Sequence, residues 1–103
     1  MLFEVIHTHT VEECPARSPE QLKPVSGWWQ TLKKTPGVKV VAGYVSPLDH
    51  AFYITVEADD YPTLARALGP LLSIGTGRVI PVLTLDQAFP IAETGALRAS
   101  KER

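Results

Sequence analysis

The chain has 103 residues, 45% of them hydrophobic and 20% charged, and its ten basic and eleven acidic side chains give a formal net charge of −1. These values are typical of a single globular domain and exclude an intrinsically disordered or a membrane-embedded chain. They also argue against nucleic acid as a partner, because no basic run is present to neutralise phosphates.

Two further features predict a cytoplasmic protein. No apolar stretch approaches the ~20 residues that span a bilayer, and the opening MLFEVI lacks the basic residues that begin a signal peptide. Cys14 is the single cysteine of the chain, which excludes an internal disulfide and suits a reducing compartment.

The N-terminal third predicts a strand followed by a helix. Residues 2–8, LFEVIHT, are rich in β-branched and aromatic side chains, which favours a strand. Ser18 is the expected helix N-cap, because Pro19 takes the first helical position and Gln21 stands where a capping box needs it. Pro24 interrupts the following segment, so we expect a kinked helix or two short pieces.

The two tryptophans of this helix are adjacent in the sequence and therefore point about 100° apart on a helix. Trp29 fits an apolar face whose members recur at spacings of three and four. The members of this face are Leu22, Val25, Trp29 and Leu32. We therefore expect Trp29 in the core, and Trp28 at a subunit contact or a ligand pocket.

The middle of the chain predicts a hairpin and a second helix. Residues 38–46 and 50–57 are β-rich, and the short connection PLD between them suits an antiparallel pair. Asp60 then precedes an apolar pattern over residues 61–72 that has helical spacing, which predicts an amphipathic helix with an acidic start.

The C-terminal part predicts one more strand and a tail. Residues 77–85 read as a fourth strand, and Pro81 assigns it to a sheet edge or to a bulge because proline cannot donate to a ladder. From Asp86 the chain turns polar. A short helix near residues 87–89 would then be followed by a mobile tail over residues 90–103.

The element order βαββαβ predicts an α+β fold, the ferredoxin-like split βαβ sandwich, over residues 1–89, with sheet order 4-1-3-2. Two helices cover only one face of such a sheet. The second strand is apolar on both of its faces, which a solvated face would not tolerate. A second copy of the chain is the economical cover, and it would form a homodimer that encloses an α+β barrel.

The span from Leu2 to about Phe89 resembles the dimeric α+β barrel superfamily. The segments HTHTVEECP and VIPVLTLDQAF are similar to a group of small bacterial domains of unknown function within it. The resemblance implies a homodimer whose sheets enclose a cleft. The superfamily includes monooxygenases of antibiotic biosynthesis, heme-degrading enzymes, muconolactone isomerases and ligand-sensing modules, so the fold does not select one role.

The three histidines are predicted to meet at one end of the sheet. His7 and His9 are two residues apart and project side by side from one strand face. His50 begins the antiparallel neighbour of that strand, which brings it to the same end. Imidazole is the commonest metal ligand, so the three rings could hold a divalent metal, with Cys14 as a fourth ligand or as a small buried hydrophobe.

Other readings of the same residues stay open. A His-x-His pair on a strand most often serves packing and backbone hydrogen bonds, and a ligand cleft is the next expectation before a metal site. Tyr44 and Tyr53 lie on the inner hairpin and could offer hydroxyls to such a cleft. The predicted ligand-binding residues are His7, His9, His50, Tyr44, Tyr53 and Trp28.

Three functions follow from this pattern. The first is a homodimeric protein that binds a small molecule, or a cofactor-independent enzyme of monooxygenase or isomerase type. The second is a metal-binding domain that uses His7, His9 and His50. The third is a non-catalytic structural or interaction module. The sequence requires no cofactor, although heme or a divalent metal would suit the first two functions.

Overall fold

Residues 1–96 are described by a computed structural model, and within them the chain forms a four-stranded antiparallel sheet and three α-helices. The elements are β1 (Leu2–Thr8), α1 (Pro19–Leu32), β2 (Val38–Ser46), β3 (Ala51–Ala58), α2 (Tyr61–Ala67), β4 (Thr76–Val82) and α3 (Leu85–Glu93). Two short 3-10 helices, Pro15–Arg17 and Gly69–Ser73, precede α1 and follow α2.

The sheet order is β2-β3-β1-β4, which is the predicted order 4-1-3-2 read from the other edge. The α+β class is therefore confirmed, and the sheet is consistent with a ferredoxin-like fold. Strand β4 lies at an edge, as Pro81 predicted, and an edge strand can tolerate a residue that donates no hydrogen bond.

The core lies between one face of the sheet and the helices α1 and α2. Along β1 the buried residues alternate with half-buried ones, so Phe3, Val5 and His7 face the helices. They pack with Leu32 of α1 and Leu64 of α2, which are both almost completely buried. The two-residue period of a strand thus assigns each side chain to one of two faces.

Strand β2 changes the face of its side chains partway along. Val40 pairs with Val56, but the next pair is Ala42 with Thr55, so Val41 forms a β-bulge. The bulge inserts one extra residue, so the side chains that follow it lie on the opposite face from that expected of a regular strand. Beyond the bulge, Gly43 faces the helices and shares that face with Val40.

Helix α1 begins as predicted but is not divided. The hydroxyl of Ser18 accepts a hydrogen bond of 3.2 Å from the main-chain N–H of Gln21, and Pro19 occupies the first turn. The expectation of two short pieces was wrong, since α1 runs unbroken through Pro24. A proline removes one intrahelical hydrogen bond, and the burial of Leu32 and Trp28 against the sheet supports the turns that follow.

Helix α2 is shorter than predicted. It begins at the Asp60 cap, but it ends at Ala67 and continues as the 3-10 helix Gly69–Ser73 rather than to residue 72. Pro70 explains the change, because proline lacks an N–H for the α-helical ladder and disfavours helical geometry at the residue before it.

Helix α3 is longer than the short helix expected near residues 87–89. Thr84 caps it in a capping box with Gln87, and it extends to Glu93. It therefore extends beyond residue 89, and the division of the chain into a domain and a tail stays a prediction. Residues 97–103 of the predicted tail lie outside the described residues, and the mobile tail stays a prediction. No helix within residues 1–96 has the length and apolarity needed to cross a membrane.

Candidate functional site

A cleft of about 600 Å³ lies between α1 and the β2–β3 hairpin. Its walls are largely apolar and aromatic, and its polar side chains cluster near the loop that follows β1. The aromatic walls are Trp28, Trp29 and Phe52, and the polar cluster consists of His9, Cys14 and His50. An apolar cavity with a few convergent polar groups is the usual form of a binding site.

Gly43 allows the indole of Trp29 to lie directly on β2. A Cβ atom added at this position would stand 2.5 Å from Cη2 of Trp29, well inside van der Waals contact. The missing side chain therefore determines how closely α1 approaches the hairpin, and with it the shape of the cleft.

The burial of the two tryptophans is the reverse of that predicted, although Trp28 does line the cleft. Trp28 is 7% exposed, and its Nε1–H donates a hydrogen bond of 2.8 Å to the carbonyl oxygen of Ala67, whereas Trp29 is only half-buried. The core-facing stripe of α1 thus consists of the half-buried Val25 and the buried Trp28 and Leu32. Their spacing of three and four is as regular as that of the predicted face. Both tryptophans line the cleft.

His7 lies beneath the cleft as part of the core. It is 1% exposed, and its Nε2 lies 2.6 Å from the carbonyl oxygen of Ile74 and 3.3 Å from that of Leu71. Because a carbonyl can only accept, Nε2 carries the proton and donates. The ring stacks on Phe52 with a centroid distance of 5.8 Å. His7 therefore joins β1 to the segment that follows α2.

The three histidines converge as the strand order predicted. The ring centroid of His9 lies 5.8 Å from that of His7 and 5.5 Å from that of His50. The main-chain N–H of His9 also donates to the carbonyl oxygen of His50 at 3.1 Å. The backbone therefore holds these two imidazoles opposite each other at the end of the sheet.

His50 has a left-handed backbone, with φ of 51°, and it is the one non-glycine residue with positive φ among residues 1–96. The third strand was predicted to begin at this residue, but β3 begins at Ala51 because a left-handed residue cannot be part of a strand. Such a conformation costs about 1 kcal/mol for a residue with a Cβ atom, and strained residues of this kind cluster at functional sites.

Cys14 completes a compact group of donor atoms. One donor atom each from His9, Cys14 and His50 all lie within 4.8 Å of one another. The Nδ1 atoms of His9 and His50 are buried and have no hydrogen-bond partner within the described part of the chain. This donor set differs from the predicted set of three histidines, because His7 uses its Nε2 on main-chain carbonyls.

The cap of α1 also fixes the loop that carries Cys14. The side-chain amide of Gln21 donates to the carbonyl oxygen of Glu12 at 2.7 Å and to that of Cys14 at 3.2 Å. The sequence predicted that Gln21 completes a capping box, but its side-chain oxygen accepts from the Ser18 hydroxyl rather than from the Ser18 main-chain N–H. The same side chain holds the loop against the helix.

Charges around His9 influence its protonation. Burial is the main cause that lowers the pKa of His9 below its ordinary value, and the charges of His7 and His50 lower it further, while Glu13 opposes them. The pKa of Glu13 is lowered chiefly by the hydrogen bond from the Gly75 N–H, and then by hydrogen bonds from Thr10. At neutral pH the neutral imidazole of His9 therefore lies near the carboxylate of Glu13, which accepts hydrogen bonds from Gly75 and Thr10.

The predicted tyrosines do not form the polar part of the cleft. Tyr44 and Tyr53 are cross-strand partners, so their side chains share the sheet face that points away from α1. Tyr44 is strongly exposed and reaches the rim of the cleft, whereas Tyr53 is not among the lining residues. Sequence reasoning missed Phe52 as a wall of the cleft, although its alternation with Tyr53 in β3 could have indicated its face.

The fold and the cleft define a small α+β domain with a polar cluster of histidine and cysteine at one end of its sheet. No protein-family profile matches the chain. A protein of Thermus thermophilus named glutamine synthetase and cystathionine beta-lyase binding protein is 37% identical over 93 residues, covering 88% of this chain and 90% of the Thermus protein. The chain belongs to the same family as this Thermus protein.

Proposed function

We propose that this protein is a non-catalytic interaction module that binds metabolic enzymes. The observation that carries the proposal is its likeness, over nearly the whole length of both chains, to a Thermus protein named for binding glutamine synthetase and cystathionine beta-lyase. An interaction module was one of three functions that the sequence allowed, and this likeness favours it over the others. Glutamine synthetase and cystathionine beta-lyase of the same organism are the partners to test first.

Helix α3 is the element best suited to contact such an enzyme. No residue of α3 is buried within the described structure, although the helix carries an apolar stripe. The stripe recurs at helical spacing and consists of Leu85, Ala88, Phe89 and Ala92. Leu85 is 71% exposed and Phe89 is 56% exposed. An amphipathic helix of this kind binds partners by inserting its apolar anchors into a groove.

The proposal is tested by measuring the binding of the full chain to each purified enzyme with surface plasmon resonance. The variants Leu85→Asp and Phe89→Asp should weaken binding more than about tenfold, because burying one large apolar side chain contributes about 1.5–3 kcal/mol. Leu72→Asp is the matched control, since Leu72 is an equally large and exposed apolar residue on the far 3-10 helix.

The results distinguish a failure of the proposed enzyme binding from a failure of α3 as the binding surface. If neither enzyme binds the unmodified chain, the interaction function is wrong for these partners. If both α3 variants bind as well as the Leu72 control, the function stands and the contact lies elsewhere.

We also propose that a second copy of the chain covers the sheet face opposite α1 and α2. Leu2, Ile6 and Ile80 lie on this face. Their side chains are only half-buried in the single chain. The polar side chains at its centre satisfy each other, since the hydroxyl of Thr55 donates to the carboxylate of Glu4 at 2.6 Å. Arg78 also lies on this face, beside Ile6, and Glu57 at its end pairs with the N-terminal amine. Apolar residues together with arginine and internally paired polar groups suit burial in a homodimer. Light scattering that reports a monomer would remove this part of the proposal.

A small-molecule ligand is a second candidate function, favoured by the cleft itself. Its aromatic walls and the unpartnered nitrogens of His9 and His50 would suit a hydrophobic acid or heme. We propose the cytoplasm as the place where such a ligand binds. Soaking such compounds into crystals tests this idea. Density beside His9 and His50 would support it, and a cleft filled by Trp29 and Phe52 in every crystal would contradict it.

A further inference from the structure

We propose that His9, Cys14 and His50 form a site for one zinc ion. The site is independent of the proposed binding to enzymes, because it lies in the cleft beside α1 and not on α3.

The donor atoms are close to the arrangement that zinc requires. They lie within 4.8 Å of one another. Zinc bonds to nitrogen at ~2.0–2.1 Å and to sulfur at ~2.3 Å, so ligands around a tetrahedral ion are separated by roughly 3.3–3.8 Å. Closing the remaining gap of about 1 Å requires only small rotations of side chains that are half-exposed.

The chemistry of the donors selects the metal. Two imidazoles and one thiolate are the ligands of a borderline or soft ion, whereas magnesium and calcium prefer oxygen ligands. Cys14 is a free cysteine and is available for this role. The nearby carboxylate of Glu13 is engaged by hydrogen bonds from Thr10 and Gly75, so it leaves the donor set to nitrogen and sulfur.

The two imidazoles have nitrogens that the protein leaves unsatisfied. The Nδ1 atoms of all three histidines are buried and have no hydrogen-bond partner among residues 1–96, and those of His9 and His50 belong to rings that line the cleft. A buried polar atom without a partner is costly and calls for an explanation such as an ion. Coordination of zinc would remove this cost at the imidazoles that reach the ion through Nδ1.

The backbone at all three residues is fixed before any metal binds. The N–H of His9 donates to the carbonyl oxygen of His50, and Gln21 holds the carbonyl oxygen of Cys14. The left-handed backbone of His50 turns its side chain out of the regular strand alternation. Three protein ligands leave one tetrahedral position free, and because these residues line the cleft, water or a small ligand could take it.

The test uses the full chain without a histidine tag, stripped of metal and then titrated with Zn²⁺ alone by calorimetry. We expect one ion per chain. Titration with Co²⁺ should give a thiolate-to-cobalt charge-transfer band together with the intense visible bands of a tetrahedral ion. Cys14→Ser should remove the charge-transfer band and weaken Zn²⁺ binding by more than about tenfold.

Two further variants keep the test decisive if Cys14→Ser does not fold. His50→Asn keeps a residue that tolerates a left-handed backbone, and His9→Gln keeps the polarity of the position. Both should lose Zn²⁺ affinity to the same degree. Ser26→Ala, at an exposed position that lines the same cleft, is the matched control and should bind Zn²⁺ unchanged.

The proposal is overturned if the unmodified chain binds no Zn²⁺, or if all three ligand variants bind it as well as the Ser26 control does. It is equally overturned if Co²⁺ binds without a thiolate band, because Cys14 is then not a ligand. Mg²⁺ should not compete in any of these titrations, and effective competition would exclude a nitrogen and sulfur site.

Discussion

The main-chain N–H of His9 donates a hydrogen bond of 3.1 Å to the carbonyl oxygen of His50. This bond continues the pairing of β1 with β3 beyond its last regular pair, Thr8 with Ala51, although neither histidine belongs to a strand. The sheet therefore ends in a fixed histidine pair rather than in a flexible loop. The cost of this arrangement is the left-handed backbone of His50.

Comparison of His50→Gly with His50→Ala should reveal that cost. Both variants remove the imidazole, but only glycine adopts a φ of 51° without strain. We expect the glycine variant to be more stable than the alanine variant by about 1 kcal/mol. Urea unfolding followed by circular dichroism measures the difference, and equal stabilities would show that the position carries no backbone strain.

Gly43→Ala should destabilise the fold and disturb the cleft. The new methyl group would meet Cη2 of Trp29 at 2.5 Å, so the indole has to move away from β2. We expect a loss of about 1–3 kcal/mol, as for other overpacked sites, together with a change in tryptophan fluorescence.

Gly27→Ala is the matched control for this change. Apart from its chain neighbours and the nearby backbone of its own helix, no atom lies within 4 Å of a Cβ atom built at Gly27. The residue lies inside α1, where alanine is the better helix former. We expect this variant to gain about 0.5–1 kcal/mol. If Gly43→Ala is as stable as Gly27→Ala, the packing of the Trp29 indole on β2 does not require a glycine at position 43.

The fold could be predicted largely because it follows from local patterns. Residues 2–8 and 38–46 are strands as predicted, and the order of the sheet followed from the connection rules. The choice between Trp28 and Trp29 could not be made, because both residues complete a stripe with Val25 and Leu32 at helical spacing. The two possible faces are equally regular, so only the packing of α1 against the sheet determines which tryptophan is buried.

The candidate site could be predicted only in part. The convergence of the histidines followed from the antiparallel neighbours β1 and β3. Cys14 was a possible fourth ligand from its place beyond β1, but the sequence also left a buried hydrophobic role open. The choice depends on the fold, because a side chain of α1, Gln21, holds the loop that carries Cys14. The left-handed backbone of His50 has only a weak local signal: histidine is enriched among residues with positive φ, but such residues are uncommon.

Replacing His7 should test whether it is a structural histidine. In His7→Leu the carbonyl oxygens of Ile74 and Leu71 lose the donor that lies beside them in the core. Leaving buried acceptors unsatisfied costs about 1–3 kcal/mol, and thermal unfolding should report that loss. His7→Gln can still offer an N–H and should lose less. If the leucine variant is as stable as the unmodified chain, these two hydrogen bonds do not stabilise the fold.

Asp60 should make the stability of the chain depend on acid pH. Its carboxylate caps α2 by accepting from the main-chain N–H of Thr63 at 2.8 Å. Hydrogen bonds from Thr63 are the main cause that lowers its pKa below the ordinary value of 3.8. The folded state thus binds the proton more weakly than the unfolded state. The contribution of Asp60 to stability is complete above pH 3.8 and disappears as the pH falls through the lower folded value.

The measurement compares urea midpoints of the unmodified chain and Asp60→Ala from neutral pH down to below pH 3.8. At neutral pH the variant should unfold at a lower urea concentration, because α2 loses its cap. The difference between the two chains should then shrink on acidification, since the protonated aspartic acid is a weaker acceptor. Asp86→Ala, at an exposed position in the first turn of α3, is the control and should show a smaller change. A difference for Asp60→Ala that stays constant with pH would mean that the charge of the cap does not contribute.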